Sequence, residues 1–345
     1  MSMQAGEVKS LSIWANTSPC AHICRFCQIG DRSPKRFPLE RWQAVVQRFR
    51  DWRAERGLDL VVDHGWPGPA FNFNLAQYAK LEEWVQETFT VISLGGVKKR
   101  SPLEMRRWLE ERKTRGLERI HGVLVGMGDT HDRWVGRRGD FDFLLQAFRT
   151  AIEMGLAYSV TLYLTKSTLP VLDDLAGILD RLPRPPAYKH VRQFYYGGYA
   201  ARHEQERITE SDLRSLPAWA LPLFLEHFDS RTERAWMDLL SSESPSPRDL
   251  HLSVELTKDT IAGFESRSCD ELFEELRSRA RADIGKLPEE AQLAADFGNP
   301  HNERVYGRFE VTRLWSDRFL EASGIEFDRS LLHEHIGARD ASPLL

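Results

Sequence analysis

Along the chain, short apolar runs alternate with longer stretches whose apolar residues recur every three or four positions, the pattern of strands alternating with amphipathic helices. Six such units are legible. A first strand near Ser10 to Trp14 leads to a helix from about Leu39, where Leu39, Trp42, Val45, Val46, Phe49 and Trp52 share one face. A second strand, Leu58 to Val62, runs into the Gly/Pro loop His64-Gly-Trp-Pro-Gly-Pro69, and a third, Phe89 to Leu94, closes at Gly95-Gly96. Ser101-Pro102 then supplies a cap residue and a first-turn proline for the next helix. The fourth strand is Ile120 to Val125, followed by a helix carrying Leu144, Ala147, Phe148, Ala151 and Ile152 on one side. The fifth is Tyr158 to Thr165, helical again from Leu169, and the sixth is Val191 to Tyr195, with Thr209-Glu-Ser-Asp212 as a capping start beyond it.

Repeated strand–helix units predict a parallel α/β architecture, and six units are too few for the eight-stranded barrel, so an ordered, curved sheet is expected. Past about Pro217 the pattern changes. Ser241-Ser-Glu-Ser-Pro-Ser-Pro247 reads as a linker, His251 to Leu256 with Thr260 to Phe264 as a hairpin, and Glu271 to Arg281 and Val311 to Glu321 as helices. The expected division is a barrel-like unit over 8–216 and a mostly helical α+β extension over 217–345. In parallel α/β barrels the chemistry sits in loops at the C-terminal ends of strands. Every unusual segment falls there: the cysteines after strand one, His64 to Pro69 after strand two, Gly126 to Gly139 after strand four, Thr165 to Thr168 after strand five and Tyr196 to Ala200 after strand six.

Composition narrows the class. Forty-seven basic against fifty-one acidic residues give a net charge of −4, so no global basic field points to nucleic acid. No run of about 18 apolar residues could span a bilayer, and no N-terminal apolar segment reads as a secretory signal. The expectation is a cytoplasmic protein whose thiols stay reduced.

Three of the four cysteines lie within eight positions, Cys20-Ala-His-Ile-Cys24-Arg-Phe-Cys27, directly after the first strand. A C-x3-C-x2-C loop can place three thiolates around one iron–sulfur cube and leave the fourth iron without a protein ligand, whereas ferredoxin-type sites supply four cysteines. A structural zinc using His22 or a distant histidine is the competing reading, but zinc sites come as two pairs separated by a longer insert, and Cys269 is alone. A disulfide framework needs a small secreted chain with more cysteine.

The motif, with Phe26 as the aromatic in C-x3-C-x-aromatic-C, resembles that of the radical S-adenosylmethionine superfamily. The resemblance and the count of units together imply a partial (β/α)6 barrel with a C-terminal α+β extension. They also imply a [4Fe–4S] cluster held by Cys20, Cys24 and Cys27, with S-adenosyl-L-methionine as cofactor. The family's Gly-Gly-Glu-Pro-like loop matches His64, Gly65, Trp66 and Pro67, with Trp66 in place of the acid. A backbone acceptor can still serve the methionine ammonium, although one charge-assisted bond is missing. Thr130-His-Asp132 through Gly139-Asp-Phe-Asp142 resembles the fourth unit of the molybdenum-cofactor and peptide-maturase branch, but Val123 or a neighbour stands where that branch has a serine. Gly126 is expected to let backbone approach the ligand or simply to turn, and His131-Asp132 to be a structural pair. Leu164-Thr-Lys-Ser-Thr168 resembles the family's apolar-Thr-Lys-x-Asn, so Lys166 either faces the mouth or is a solvated strand end.

What the resemblance implies is reductive cleavage of S-adenosylmethionine to methionine and a 5′-deoxyadenosyl radical, which takes a hydrogen from the substrate. Phe26 is expected near the adenine and residues 64 to 67 near the methionine end. Tyr195, Tyr196 and Tyr199 are candidates to line the pocket, and no side chain is assigned as hydrogen donor or base. The implied substrate is a peptide or natural-product intermediate; a sugar, nucleoside or amino acid is the alternative, and a non-catalytic iron–sulfur or zinc interaction protein the reading from another class. An electron donor such as flavodoxin or ferredoxin is implied. The early first strand leads to the expectation that no leader-peptide domain is fused, and the single Cys269 to the expectation of no auxiliary cluster. His333 and His335 read as solvated tail residues.

Overall fold

The computed structural model describes residues 5–18, 20–28, 37–64, 72–225, 229–243 and 248–327. Its first half repeats strand and helix in order: β1 (Ala5–Ala15), α1 (Leu39–Arg56), β2 (Val61–Asp63), α2 (Leu75–Val85), β3 (Val91–Ser93), α3 (Pro102–Lys113) and β4 (Arg119–Leu124). It continues with α4 (Gly128–Val135), α5 (Asp140–Glu153), β5 (Ala157–Leu164), α6 (Leu172–Asp180) and β6 (Tyr188–Gln193). Local chemistry accounts for the helices. The face predicted for α1 is the buried one, and the helix stops at Gly57 in the left-handed region. Ser101 and Glu104 close a capping box on α3 behind Pro102, and Thr209 and Asp212 close another on α7 (Glu210–Arg214).

The remaining elements are α8 (Ala220–Leu225), β7 (Arg231–Thr232), α9 (Glu233–Leu240), β8 (Arg248–Leu256), α10 (Ile261–Ser266), α11 (Cys269–Ile284), α12 (Glu290–Phe297), β9 (Val305–Tyr306) and α13 (Arg308–Ser323). Among the described residues the strands form a parallel sheet in the order β2-β1-β8, a parallel sheet in the order β3-β4-β5-β6 and an antiparallel β7-β9 pair, with no closed barrel. The architecture is thus the expected open, parallel α/β one with an α+β extension. No described helix is long and apolar enough to cross a membrane.

The hairpin expected at His251 to Leu256 and Thr260 to Phe264 is absent. The first segment is β8, parallel to β1 with Ser12 opposite Ser253 and Ile13 opposite Val254, so a strand beyond residue 216 belongs to the same sheet as β1. The second is α10, which starts after a turn where Thr257 N donates to Thr260 Oγ1 at 2.9 Å, and Phe264 packs on Phe49 of α1. Periodicity over five residues could not separate a strand from a short helix.

Each sheet has an apolar face under the helices and a polar face away from them. Leu11, Ile13 and Ala15 of β1 are fully buried, and Trp42 of α1 donates its indole N–H to Ile13 O at 2.9 Å. Ile120, Leu124, Val160, Leu162, Leu164 and Val191 join the core that contains Leu144, Ala147 and Phe148 of α5. Since side chains alternate along a strand, the opposite faces carry Ser10, Ser12, Trp14, His251 and Ser253 on one sheet and His121, Ser159, Thr161, Tyr163, His190 and Arg192 on the other.

Candidate functional site

The cysteine loop leaves the C-terminal end of β1 through Asn16, Thr17 and Ser18, all buried, and then lies across the C-terminal ends of the second sheet. Backbone hydrogen bonds fasten it to three other segments. Ala21 N donates to Gly96 O after β3 (2.9 Å), Ile23 N to Val135 O and Arg25 N to Trp134 O at the end of α4 (3.1 and 2.8 Å), and Tyr199 N after β6 donates to Cys27 O (2.8 Å). Cys20, Cys24 and Cys27 are each half-buried, and none is joined in a disulfide. Three N–H groups and one carbonyl of the loop are thus bonded to other segments, and its three cysteines remain partly accessible.

Two glycines make this docking possible. Gly136, at φ +68°, is so close that a Cβ there would lie 2.6 Å from Ile23 O. Gly198, at φ +52°, would place a Cβ 2.2 Å from Gln28 O and 2.6 Å from Cys27 O. Both positions need a residue that tolerates the left-handed region and has no side chain to displace the loop.

Beneath the loop is a buried polar cluster centred on Asp140, the first residue of α5. His22 accepts a hydrogen bond from Gly96 N on Nδ1 (3.0 Å), so its proton is on Nε2, 3.5 Å from Asp140 Oδ2. His131 accepts from Val125 N on Nδ1 (3.1 Å) and donates from Nε2 to the same oxygen at 3.1 Å. Arg137 completes the set, with Nε 2.9 Å from Asp140 Oδ1 and a further bond to Val97 O. Burial alone would raise the pKa of Asp140, but the contacts from His131 and His22 and the charge of Arg137 outweigh it and hold the carboxyl well below the usual range. Burial also lowers the pKa of His22, in keeping with a neutral ring. Asp140 therefore links the cysteine loop to the loops after β3 and β4.

Phe26, between the second and third cysteines, packs edge-on to Tyr163 of β5 with ring centroids 5.0 Å apart. The Tyr163 hydroxyl accepts from Arg192 Nη2 of β6 at 3.0 Å, and the guanidinium lies 5.3 Å from the ring centres of both Tyr163 and Tyr195. Sequence reasoning did not single out Tyr163 or Arg192. The signal available was the polar alternation Tyr188, His190, Arg192 within β6.

The other expected site residues are spread more widely. His64 directly follows β2 with its ring between Trp42 and Trp84, centroids 6.1 and 5.8 Å away, and desolvation lowers its pKa. Gly65, Trp66 and Pro67 lie outside the described residues, as do His333 and His335. Gly126 has φ +76°, and a Cβ there would press on Thr130 and Thr168 at 2.9 and 3.2 Å. Lys166 meets a carboxylate of the chain itself, forming an ion pair with Asp212, which also caps α7. Asp132 accepts from Asp140 N and Phe141 N (2.8 and 3.1 Å), capping α5, and His131 and Asp132 both lie on α4 rather than in the loop expected for them. Tyr196 belongs to a second buried cluster with Trp236, Tyr306 and Trp315, whereas Tyr195 stacks on Arg192 and Tyr199 bonds Cys27. Cys269 is buried at the start of α11.

The donor set suits an iron–sulfur cube. Three half-buried cysteines on one pinned loop can each take a separate iron, and the cube then keeps one iron without a protein ligand. Among the described residues no group of three or more His, Cys, Asp or Glu side chains is gathered to hold one metal ion.

No family model matches the chain, and no curated protein does. Solved structures with a similar course include Streptococcus suis SuiB bound to its precursor peptide SuiA, at 14% identity and TM-score 0.41, covering 61% of this chain and 45% of that one. SuiB bound to S-adenosylmethionine gives 15% identity and TM-score 0.40, covering 61% and 46%. Escherichia coli coproporphyrinogen III oxidase (HemN), described as a radical SAM enzyme, gives 16% and 0.37, covering 64% and 51%. The chain thus spans about half the length of these structures.

Proposed function

We propose that the protein is a radical S-adenosylmethionine enzyme whose cysteine loop holds a [4Fe–4S] cluster. The observation that carries this reading is the loop itself: a C-x3-C-x2-C segment at the C-terminal end of β1, pinned by its backbone across the ends of β3, α4 and β6. When bound, such a cluster supplies the electron that cleaves S-adenosylmethionine reductively. The chain's residues have the other tasks. Cys20, Cys24 and Cys27 ligate; His22, through Asp140, and the glycines at 136 and 198 fix the loop; Phe26 bounds the cofactor space on the Tyr163 side. His64 to Pro67 and Gly126 would hold the cofactor mainly through backbone, and Lys166 would reach it only if its ion pair with Asp212 opens.

The polar faces of the two sheets suit a substrate that is itself polar, in accord with a peptide or natural-product intermediate, with a sugar, nucleoside or amino acid as the alternative. The reductant would be a flavodoxin or ferredoxin. The test is anaerobic reconstitution followed by iron and sulfide analysis and electron paramagnetic resonance of the reduced protein, with and without S-adenosylmethionine. The expected result is about four irons per chain and a signal that changes when S-adenosylmethionine is added. A colourless protein that binds zinc instead would refute the reading.

A further inference from the structure

We propose that the outer side of the cysteine loop, with the cations around it, is the docking surface for an acidic protein that delivers single electrons to the site. The partner's task rests on the radical-enzyme reading, whereas the surface stands on its own charge. The loop has two sides. His22 turns inward to Asp140 and Phe26 to Tyr163, while Ile23 and Arg25, on either side of Cys24, are exposed. Ile23 is 74% exposed, the highest value among the large apolar residues described. Exposed cations surround it. Lys98 and Lys99 follow Gly96, whose carbonyl accepts from Ala21 N, and Lys99 Nζ donates to Arg138 O. Arg133 and Arg138 flank the segment whose Trp134 and Val135 carbonyls accept from Arg25 N and Ile23 N. Arg202 lies over the Tyr199 ring at 5.0 Å, and Tyr199 N bonds Cys27 O. Burial lowers the pKa of His203, and the charges of Arg25 and Arg202 lower it further against Glu206, so both guanidinium fields meet there.

Among the described residues none of Arg25, Lys98, Lys99, Arg133, Arg138 and Arg202 is paired with a carboxylate. Lys99 and Arg133 bond neutral oxygens, Arg138 O and Thr130 Oγ1. Elsewhere on the surface Arg41, Arg56, Arg106 and Arg308 each meet an acid of the chain. Most acids of the loop's neighbours are engaged: Asp132 caps α5, Asp140 is buried, Glu204 accepts from Tyr306 and Glu206 from Ser167 N, which leaves Asp129 and Asp142 exposed. The face is therefore positive on a chain whose net charge is −4. An apolar centre with a charged rim is the anatomy of a protein interface, and a field of this sign steers an acidic partner to it. A long polyanion such as RNA would meet the acidic remainder of the chain beyond the patch, whereas a small acidic protein meets only this face. In each encounter the carrier is oxidised by one electron and the cluster reduced by one, with no group transferred.

The probe is a flavodoxin of strongly negative net charge, with basic cytochrome c as control. Binding of each to immobilised reconstituted protein and to apoprotein is read by biolayer interferometry at about 50 and about 200 mM sodium chloride. Flavodoxin should bind wild type, more weakly at the higher salt, and cytochrome c should not. Lys98→Glu with Arg133→Glu should weaken flavodoxin binding at least about tenfold. Arg202→Glu, on the other side of the loop, should weaken it too and carries the test if the double variant does not fold. Both variants should keep dithionite-driven formation of 5′-deoxyadenosine, because a small reductant needs no docking surface. No binding to wild type, unchanged affinity in both variants, or cytochrome c binding as tightly as flavodoxin would overturn the proposal. So would a single-stranded oligonucleotide that binds more tightly than flavodoxin, which would assign the face to nucleic acid. Charge-sensitive docking to an apoprotein that never takes up a cluster would sink the radical reading and keep the surface; a full cluster that cleaves S-adenosylmethionine without any docking would sink the surface alone.

Discussion

Replacing Asp140 by Asn removes one negative charge from a site where the carboxylate and His131 are fully buried and Arg137 is 13% exposed. Removing one partner of a buried ion pair costs about 3–5 kcal/mol. The low end applies, about 3 kcal/mol, because Arg137 can turn toward water and the Asn carbonyl still accepts one bond. The amide cannot serve His131, His22 and Arg137 together, and its NH2 would face their N–H groups. The loss should therefore reach the cysteine loop through His22. Hydrogen exchange read by mass spectrometry in the apoprotein is the assay. Amides of Ala21, Ile23 and Arg25, which bond to Gly96, Val135 and Trp134, should exchange at least about tenfold faster, equivalent to about 1.4 kcal/mol of local opening. The effect should also depend on pH with a definite sign. The Asp140 carboxyl is held below its ordinary value, so its contribution is fully present above about pH 4, the unfolded range, and is lost as pH falls toward the folded value. The gap in stability between wild type and Asp140→Asn should thus narrow from pH 7 to pH 3. Unchanged exchange at residues 21–25, or a gap that widens in acid, would refute the idea that Asp140 anchors the loop.

Two further perturbations test the supports of the site. Gly198→Ala forces a β-carbon against Gln28 O and Cys27 O in a left-handed conformation, so about 1–2 kcal/mol of backbone strain adds to the displacement of the loop; the variant should retain less iron after reconstitution than wild type, and equal retention would contradict the docking. Glu310→Gln breaks its pair with Arg207, whose side chain is fully buried, and should cost about 3 kcal/mol or more in denaturant unfolding; a loss under about 1 kcal/mol would place the pair among those of surface type.

The sequence pattern located all six early strands within a few residues because each combines a compact apolar face with a helix of clear period behind it. Trp42, Phe49 and Phe148 are core residues for that reason. The alternation His251 to Leu256 predicts only half of a local hairpin, because the partner of β8 is β1, roughly 240 positions away, and nothing in that alternation names it. The cysteine loop was legible from spacing, and the structure adds how it is held. Asp140 stood inside a motif already noted, but its tie to His22 depends on the loop folding back over α4. Arg192 and Tyr163 are not legible in the sequence because an Arg on an alternating strand reads locally as solvent-facing; only the sheet register pairs it with a tyrosine beside Phe26.

If the cysteine loop holds a [4Fe–4S] cluster as proposed, it supports reductive cleavage of S-adenosylmethionine. The most direct measurement is an anaerobic assay of the reconstituted protein with S-adenosylmethionine and dithionite, following 5′-deoxyadenosine by chromatography beside a Cys24→Ala control. Wild type should yield 5′-deoxyadenosine and the control none. A wild-type protein carrying its full cluster that yields no 5′-deoxyadenosine, or a control that yields as much, would contradict it.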